Sequence, residues 1–329
     1  QFKRAEAKEV NALPTIKRRL FFMLLLGGFH LLLWSGDIVF FYALLGFILL
    51  PMRRFSNKQL LITGSILILS PIALYAAKMK WEWLNAPSGL LFGIGEKLET
   101  YLTGITSEET YLKYVQNAGW WDIIKDNIAG FFFRYGHLIF ISRISKVLGM
   151  FLIGYVLGRS DFYKNFSANK KTVYSIVFAG LLIGIPANYF LAHYMELYNA
   201  DYYNLKINGL YQTIAYAFGV APLCLAYVGI FMLLFQQAIG EKILSLLAPV
   251  GKMAFSNYIM HTLIGQIVFQ MAGFGFMGKI GPVYYTFFAL LVFGCQIIIS
   301  TIWLNYFNYG PLEWLWRSAT YKKWQVMRK

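Results

Sequence analysis

His30 and Asp37 stand seven residues apart, on either side of Trp34-Ser35-Gly36. A tight hairpin at that tripeptide would bring an imidazole and a carboxylate together. A carboxylate beside an imidazole orients the ring and raises its basicity, and such a pair can deprotonate a hydroxyl or an amine. His30 and Asp37 are therefore the candidate catalytic residues. The same two residues also have a structural reading, with Asp37 capping the following helix and His30 hydrogen-bonded in the interior.

A second group is cationic. Arg134, His137, Arg143 and Lys146 enter one apolar run, and spacings of three place Arg134 with His137, and Arg143 with Lys146, near one face each. Four basic groups on a membrane helix suggest an anion, whether a lipid head group, an acyl carrier's phosphate or protein carboxylates; the alternative, snorkelling to the interface, accounts for Arg134 better than for Arg143. Further along, Lys252, Asn257 and His261 predict a polar seam between helices, and Asn257 and His261 complete the expected substrate-binding set. Glu313 and Arg317 are four apart, in the favourable order for a helical ion pair. Trp314 and Trp316 beside them suit a helix lying along a membrane surface.

Motifs of soluble enzymes are missing: the chain has no HExxH, GxSxG, P-loop or CxxC. Gly273-Phe-Gly275-Phe-Met-Gly278 spells GxGxxG, but it follows an apolar run rather than a strand and reads as a loop. No metal site is expected, and Cys224 and Cys295 lie within apolar runs, so no disulfide framework is expected either.

The elements that must position these residues are membrane helices. The 329 residues are 58% hydrophobic and only 14% charged, against about 25% charged in an ordinary soluble domain. The apolar residues gather in runs such as Leu20–Trp34, Ile38–Leu50, Leu60–Ala77 and Val283–Phe307. The expected fold is all-α, a polytopic membrane helix bundle of about eight transmembrane helices in one membrane domain, 1–329. The spans read as 15–35, 37–52, 59–77, 136–158, 172–194, 211–237, 253–272 and 283–307. Residues 1–19 form a charged cytoplasmic segment, 20–77 hold three spans, 131–309 hold five, and 310–329 form a tail. The chain begins at Gln1 without Met, and its charged start reads as an internal loop of a longer protein with a larger bundle.

Lys and Arg set the sidedness. Counted loop by loop, twenty fall on the side of both ends and seven on the other. Both ends are thus expected to be cytoplasmic. The net charge of +15 is spread over helix ends rather than gathered in one patch, so nucleic acid is not an expected partner. Residues 78–130 are too polar to span and read as an extracytoplasmic loop, with a short helix over Ser107–Asn117 capped by Ser107. Pro71, Pro186 and Pro222 should kink their spans. Gly154/Gly158 and Gly180/Gly184 have the GxxxG spacing of close helix approach.

Several stretches together resemble the YeiB-like family of bacterial inner-membrane proteins. They are Lys17-Arg-Arg-Leu, Gly27-Gly-Phe-His30, Gly36-Asp37-Ile-Val, Tyr42-Ala43-Leu-Leu-Gly46, Leu148 to Arg159, Gly251-Lys-Met-Ala-Phe-Ser-Asn257-Tyr258 and Gly310-Pro-Leu-Glu313-Trp314-Leu-Trp316-Arg317. The resemblance implies a bacterial inner (cytoplasmic) membrane protein related to transmembrane acyltransferases such as heparan-α-glucosaminide N-acetyltransferase. Those enzymes move an acyl group from cytoplasmic acyl-CoA onto a sugar across the membrane. The resemblance places their catalytic histidine upstream of the arginine-rich start seen here, beyond this sequence. His30 is a candidate on its own spacing with Asp37.

The first expectation is accordingly an acyltransferase-like protein acting on an extracytoplasmic glycan or lipid acceptor. It would bind no permanent cofactor, with acyl-CoA as donor substrate and membrane lipids around it. The alternatives are a transporter or flippase for an anionic or lipid-linked solute, and a non-catalytic membrane subunit docking a protein partner at the 78–130 loop.

Overall fold

Pro14 opens the first long helix, where a missing N–H costs nothing, and the apolar run behind it continues as α1, Leu13–Leu33. A computed structural model describes residues 11–160, 162, 166–270 and 272–329. Residues 1–10 of the expected cytoplasmic segment lie outside them. The regular structure of the described residues is helical, apart from one isolated bridge between Phe307 and Arg328. After α1 come α2 (Val39–Met52), α3 (Asn57–Lys80), α4 (Ala86–Thr103), α5 (Glu108–Asn117), α6 (Trp120–Phe140) and α7 (Arg143–Arg159). They are followed by α8 (Phe166–Leu197), α9 (Asn199–Tyr203), α10 (Ile207–Leu234) and the short α11 (Ala238–Ser245) and α12 (Ala248–Lys252). Last come α13 (Ala254–Phe269), α14 (Pro282–Tyr306) and α15 (Pro311–Tyr321). The all-α expectation holds.

Large apolar side chains point outward along the longest helices. Phe287, Leu290 and Leu291 of α14 are each more than 60% exposed, while Gln296 and Ser300 of the same helix are buried. The same inversion brings His30, Asp37, Lys78, Lys146, Gln212 and Asn257 inside. In water this would be costly on both counts; in lipid it is the stable arrangement. The chain is a membrane protein with transmembrane helices.

Four helices are long and apolar enough to cross: α3, α8 from Asn169, α10 and α14. The expected span 136–158 is not one helix. It is divided between α6 and α7, which meet at a 71° bend, and counting them as one broken span gives up to five. Helix α2 has 14 residues and α13 has 16, about 21 and 24 Å at 1.5 Å per residue. Both fall short of the roughly 30 Å of hydrocarbon, so the described residues do not yield the expected eight full-length spans.

The 78–130 segment is mostly helical, with α4, α5 and the start of α6. Ser107 caps α5 as expected, accepting from the Thr110 N–H. The GxGxxG segment is a turn, in which Gly275 and Gly278 adopt positive φ.

Contacts divide the chain into two compact units. The first holds Gln1–Phe47, Leu91–Arg134 and Lys242–Lys329, and the second holds Ile48–Leu90 and Tyr135–Glu241. In the first, α15 packs on α1 and on α13. In the second, α8 runs along α10 and α3 along α7, with Leu60, Leu152 and Val156 as a buried cluster.

The glycine spacing is half right. Gly180 and Gly184 do face α10 closely, at Pro222 and Leu223. Gly154 and Gly158 face open space, and the α3–α7 crossing is made instead by Gly64 against Gly149, where a Cβ on Gly149 would lie 2.7 Å from the Gly64 carbonyl.

Gly149→Val should therefore destabilise the protein by about 1–3 kcal/mol through overpacking. Gly154→Ala should stay within about 0.5 kcal/mol of wild type, as changes away from packed contacts do. Thermal unfolding in detergent compares the two, and equal losses would contradict this crossing.

Candidate functional site

The short linker between α1 and α2 is where the candidate dyad sits, in the first unit. Gly27 allows the two helices to meet, since any Cβ there would strike the Phe40 backbone. A turn between two helices frees peptide groups that neither helix can satisfy. Side chains of other helices take them up. Asn127 of α6 accepts from the Ser35 N–H at 2.7 Å and donates to the Leu32 carbonyl at 3.2 Å. Gln266 of α13 donates to the Leu33 carbonyl at 2.9 Å. The turn is thus held by two other helices.

Within it, Asp37 and His30 are each 2% exposed. His30 Nδ1 and Asp37 Oδ2 are 2.6 Å apart, and the same oxygen accepts from the Tyr258 hydroxyl at 3.1 Å. The other carboxylate oxygen accepts from the Phe40 N–H at 2.7 Å, in the first turn of α2. Asp37 thus both caps α2 and partners the imidazole. Tyr258 also accepts from the Ile38 N–H at 3.2 Å, and its ring stands edge-on to His30 at 5.0 Å.

An ionised carboxylate has only acceptors, so His30 must present an N–H at Nδ1. In the neutral ring the lone pair is then at Nε2. That nitrogen is buried and has no hydrogen-bond partner. Arg134, in the same unit, has a buried Nε without a partner, and its charge acts on Tyr258. The arrangement can accept a proton at His30 Nε2 and hold the resulting imidazolium against Asp37.

Tyr258 is the residue that spacing did not single out. It lies 221 positions from Asp37, and its only sequence signal was its place beside Asn257 in the Gly251–Tyr258 stretch.

The other expected site residues are distributed differently. The four cations of the anticipated cluster do not share one helix: Arg134 and His137 are on α6, Arg143 and Lys146 on α7. The separation is local, because Ser142 has a left-handed φ of 54° between the two helices. His137 sits 6.1 Å, ring to ring, from Tyr203. Arg143 donates to the Tyr216 hydroxyl, and Lys146 lies over the Tyr216 ring at 3.9 Å.

Asn257 does form the predicted seam. It donates to Ser300 Oγ at 3.0 Å, and Gln296 donates to its carbonyl at 3.1 Å. His261 is exposed and contacts the Asn257 carbonyl through Nδ1 at 3.2 Å. The expected Glu313–Arg317 pair is replaced. Glu313 accepts from the Phe255 and Ser256 N–H groups at 2.7 and 3.0 Å, capping α13 from another helix, while Arg317 stacks on Tyr309 at 4.9 Å. Two free N–H groups at a helix start hold a carboxylate better than one exposed cation does.

At this same end of the first unit, a cavity of about 340 Å³ is lined by Arg19, Lys252, Phe255, Glu313, Trp316 and Arg317, among others. Arg19 stacks on Trp316 at 4.3 Å.

Residues 157–323 match the family model described as "Protein of unknown function (DUF418)". The chain is 30% identical to "Uncharacterized protein YxaH" of Bacillus subtilis (strain 168), over 99% of this chain and 76% of that one. It is 28% identical to "Uncharacterized protein YeiB" of Escherichia coli (strain K12), over 93% and 75% respectively. It is 25% identical to "Uncharacterized 39.9 kDa protein in amylase 3'region" of Bacillus acidopullulyticus, over 99% and 77%. No solved structure matches the chain.

Because Asp37 is a cap as well as a hydrogen-bond partner, Asp37→Ala should cost about 1–2 kcal/mol from the lost cap alone. Asp37→Asn keeps an acceptor for Phe40 and should recover most of that loss. Thermal melts of the two variants against wild type check this, and an Ala variant as stable as wild type would contradict the cap.

Proposed function

The chain belongs to the YeiB-like DUF418 family, and on that premise we propose that it is a membrane acyltransferase acting on an extracytoplasmic glycan or lipid. The observation that carries this reading is the buried His30–Asp37–Tyr258 constellation with its unpartnered Nε2. A ring nitrogen without a hydrogen-bond partner, backed by a carboxylate on the other ring nitrogen, is free to take a proton.

In the proposed reaction, His30 Nε2 takes the proton of an acceptor hydroxyl or amine as that group attacks the acyl carbonyl of a thioester. The carbon–sulfur bond breaks, and the leaving thiolate receives the proton back from His30. Asp37 holds the ring in the tautomer that leaves Nε2 free and stabilises the imidazolium between the two steps. Tyr258 fixes the carboxylate by hydrogen-bonding the oxygen that His30 uses.

The sidedness supports a donor from the cytoplasm. The excess of Lys and Arg on the side of both ends favours an inner-membrane protein with cytoplasmic termini. Arg19, Lys252 and Arg317 would then line a cytoplasmic cavity, where their charges suit the phosphates of acyl-CoA and Trp316 and Phe255 suit its base. Arg19 and His30 are eleven residues apart on α1, about 16 Å of helix rise. A pantetheine arm is long enough to cover that distance.

Purified protein given radiolabelled acyl-CoA and membrane glycolipid extract should label an acceptor. His30→Ala should lower the rate by about 10²–10⁴-fold, the usual contribution of a general base. Wild type that releases no CoA and transfers no label, with His30→Ala cells indistinguishable from wild type, would sink the acyltransferase reading. Gradient-dependent uptake into proteoliposomes would favour the transporter instead.

A further inference from the structure

The second unit contains three cations whose burial the acyl-transfer chemistry does not use. Lys78 of α3 and Lys146 of α7 are 6% and 8% exposed, and Arg143 is half-buried one turn before Lys146. Arg143 and Lys146 converge on Tyr216 of α10, the first on its hydroxyl and the second on its ring face. The charges of Arg143 and Lys78 both act on Lys146. None of the three has a carboxylate within ion-pair distance among the described residues.

Their hydrogen bonds leave much unused. Lys78 donates to the Phe140 carbonyl at 2.8 Å, which the helix break has freed. Among the described residues, the Lys146 ammonium donates to no oxygen or nitrogen and rests on the Tyr216 ring face. The break also exposes a helix start. Helix α7 begins at Arg143, and the first intrahelical bond falls only at the Lys146 N–H, to the Ser142 carbonyl at 3.4 Å. The N–H groups before it point out of the helix end with its positive dipole.

We propose that this break, with Lys78, Arg143, Lys146 and Tyr216, is a binding site for a phosphate group, distinct from the His30 site. Like charges this close inside a membrane protein need a counter-charge, and the described residues supply none. The donors arrive from three helices, which suits a tetrahedral oxyanion with oxygens on every side; a carboxylate offers two oxygens in one plane. Tyr216 is nine residues into α10, about 13 Å along it. That depth lies within reach of a lipid-borne phosphate, either an anionic phospholipid or a polyprenyl phosphate, and free phosphate is the alternative source.

The test uses the full chain in uncharged detergent, stripped of lipid, and reads thermal stabilisation by added probes. These are phosphatidylglycerol, a polyprenyl phosphate and inorganic phosphate, with diacylglycerol as the phosphate-free comparison. At least one phosphate-bearing probe should stabilise wild type where diacylglycerol does not. Lys146→Met and Arg143→Gln should each weaken the apparent affinity by about tenfold or more, as loss of a charge-assisted hydrogen bond does, and Lys146→Arg should keep most of it. Inorganic phosphate that competes with the lipid probes identifies a soluble phosphate as sufficient, and failure to compete identifies a lipid-borne one. If Lys146→Met does not fold, Arg143→Gln against Lys146→Arg gives the same comparison. The proposal is overturned if wild type responds to phosphate probes no more than to diacylglycerol, or if the folded charge-removing variants bind as wild type does.

Discussion

Hydrocarbon offers no hydrogen bonds, so every peptide group freed where a helix breaks must find a partner inside the protein. That constraint shapes both places where this chain concentrates its ionisable residues. At the α1–α2 turn, the freed groups of Leu32, Leu33, Ser35 and Phe40 are taken by Asn127, Gln266 and Asp37. At the α6–α7 break, the Phe140 carbonyl is taken by Lys78, and the Ser142 carbonyl accepts from Ser145 Oγ at 2.9 Å. Polar side chains are brought to these points by backbone need. Once there, in a place of low dielectric, their remaining donors and acceptors are available for chemistry.

What could be read from the sequence follows from the range of the interactions. The His30–Asp37 pair is seven residues long and needs only a tight turn, so spacing alone located it. Tyr258, on the far side of the same carboxylate, depends on α13 being folded against α1, and no local pattern encodes that. Apolar content gave the helical membrane fold. It left the number of crossings open, because α2 and α13 are apolar yet short.

The misreadings share one cause: spacing rules presume a continuous helix or an isolated one. Arg134, His137, Arg143 and Lys146 form one set only if the helix runs through, and the left-handed Ser142 stops it. Gly154 and Gly158 have the spacing for close packing, but a crossing is set by which glycines face a neighbour, and those are Gly64 and Gly149. Glu313 and Arg317 have the spacing of an ion pair. The start of α13 offers Glu313 two N–H groups and the Ser256 hydroxyl, and that tertiary cap prevails over a solvent-screened pair.

The two clusters differ in charge, and the difference bears on what each can do. Asp37 and His30 are balanced: one carboxylate faces one imidazole, and every charge that forms during proton transfer has its counterpart already in place. Such a pair can stay buried through a whole reaction cycle without outside help. Lys78, Arg143 and Lys146 are unbalanced, with three basic groups of one sign and no described acid within ion-pair distance. Residues needed only to satisfy the broken backbone would not require three, since Lys78 alone answers the Phe140 carbonyl. An excess of buried like charge is stable when something of opposite charge enters and unstable when it does not. On the proposed readings, the first cluster acts on a group that visits, and the second depends on one.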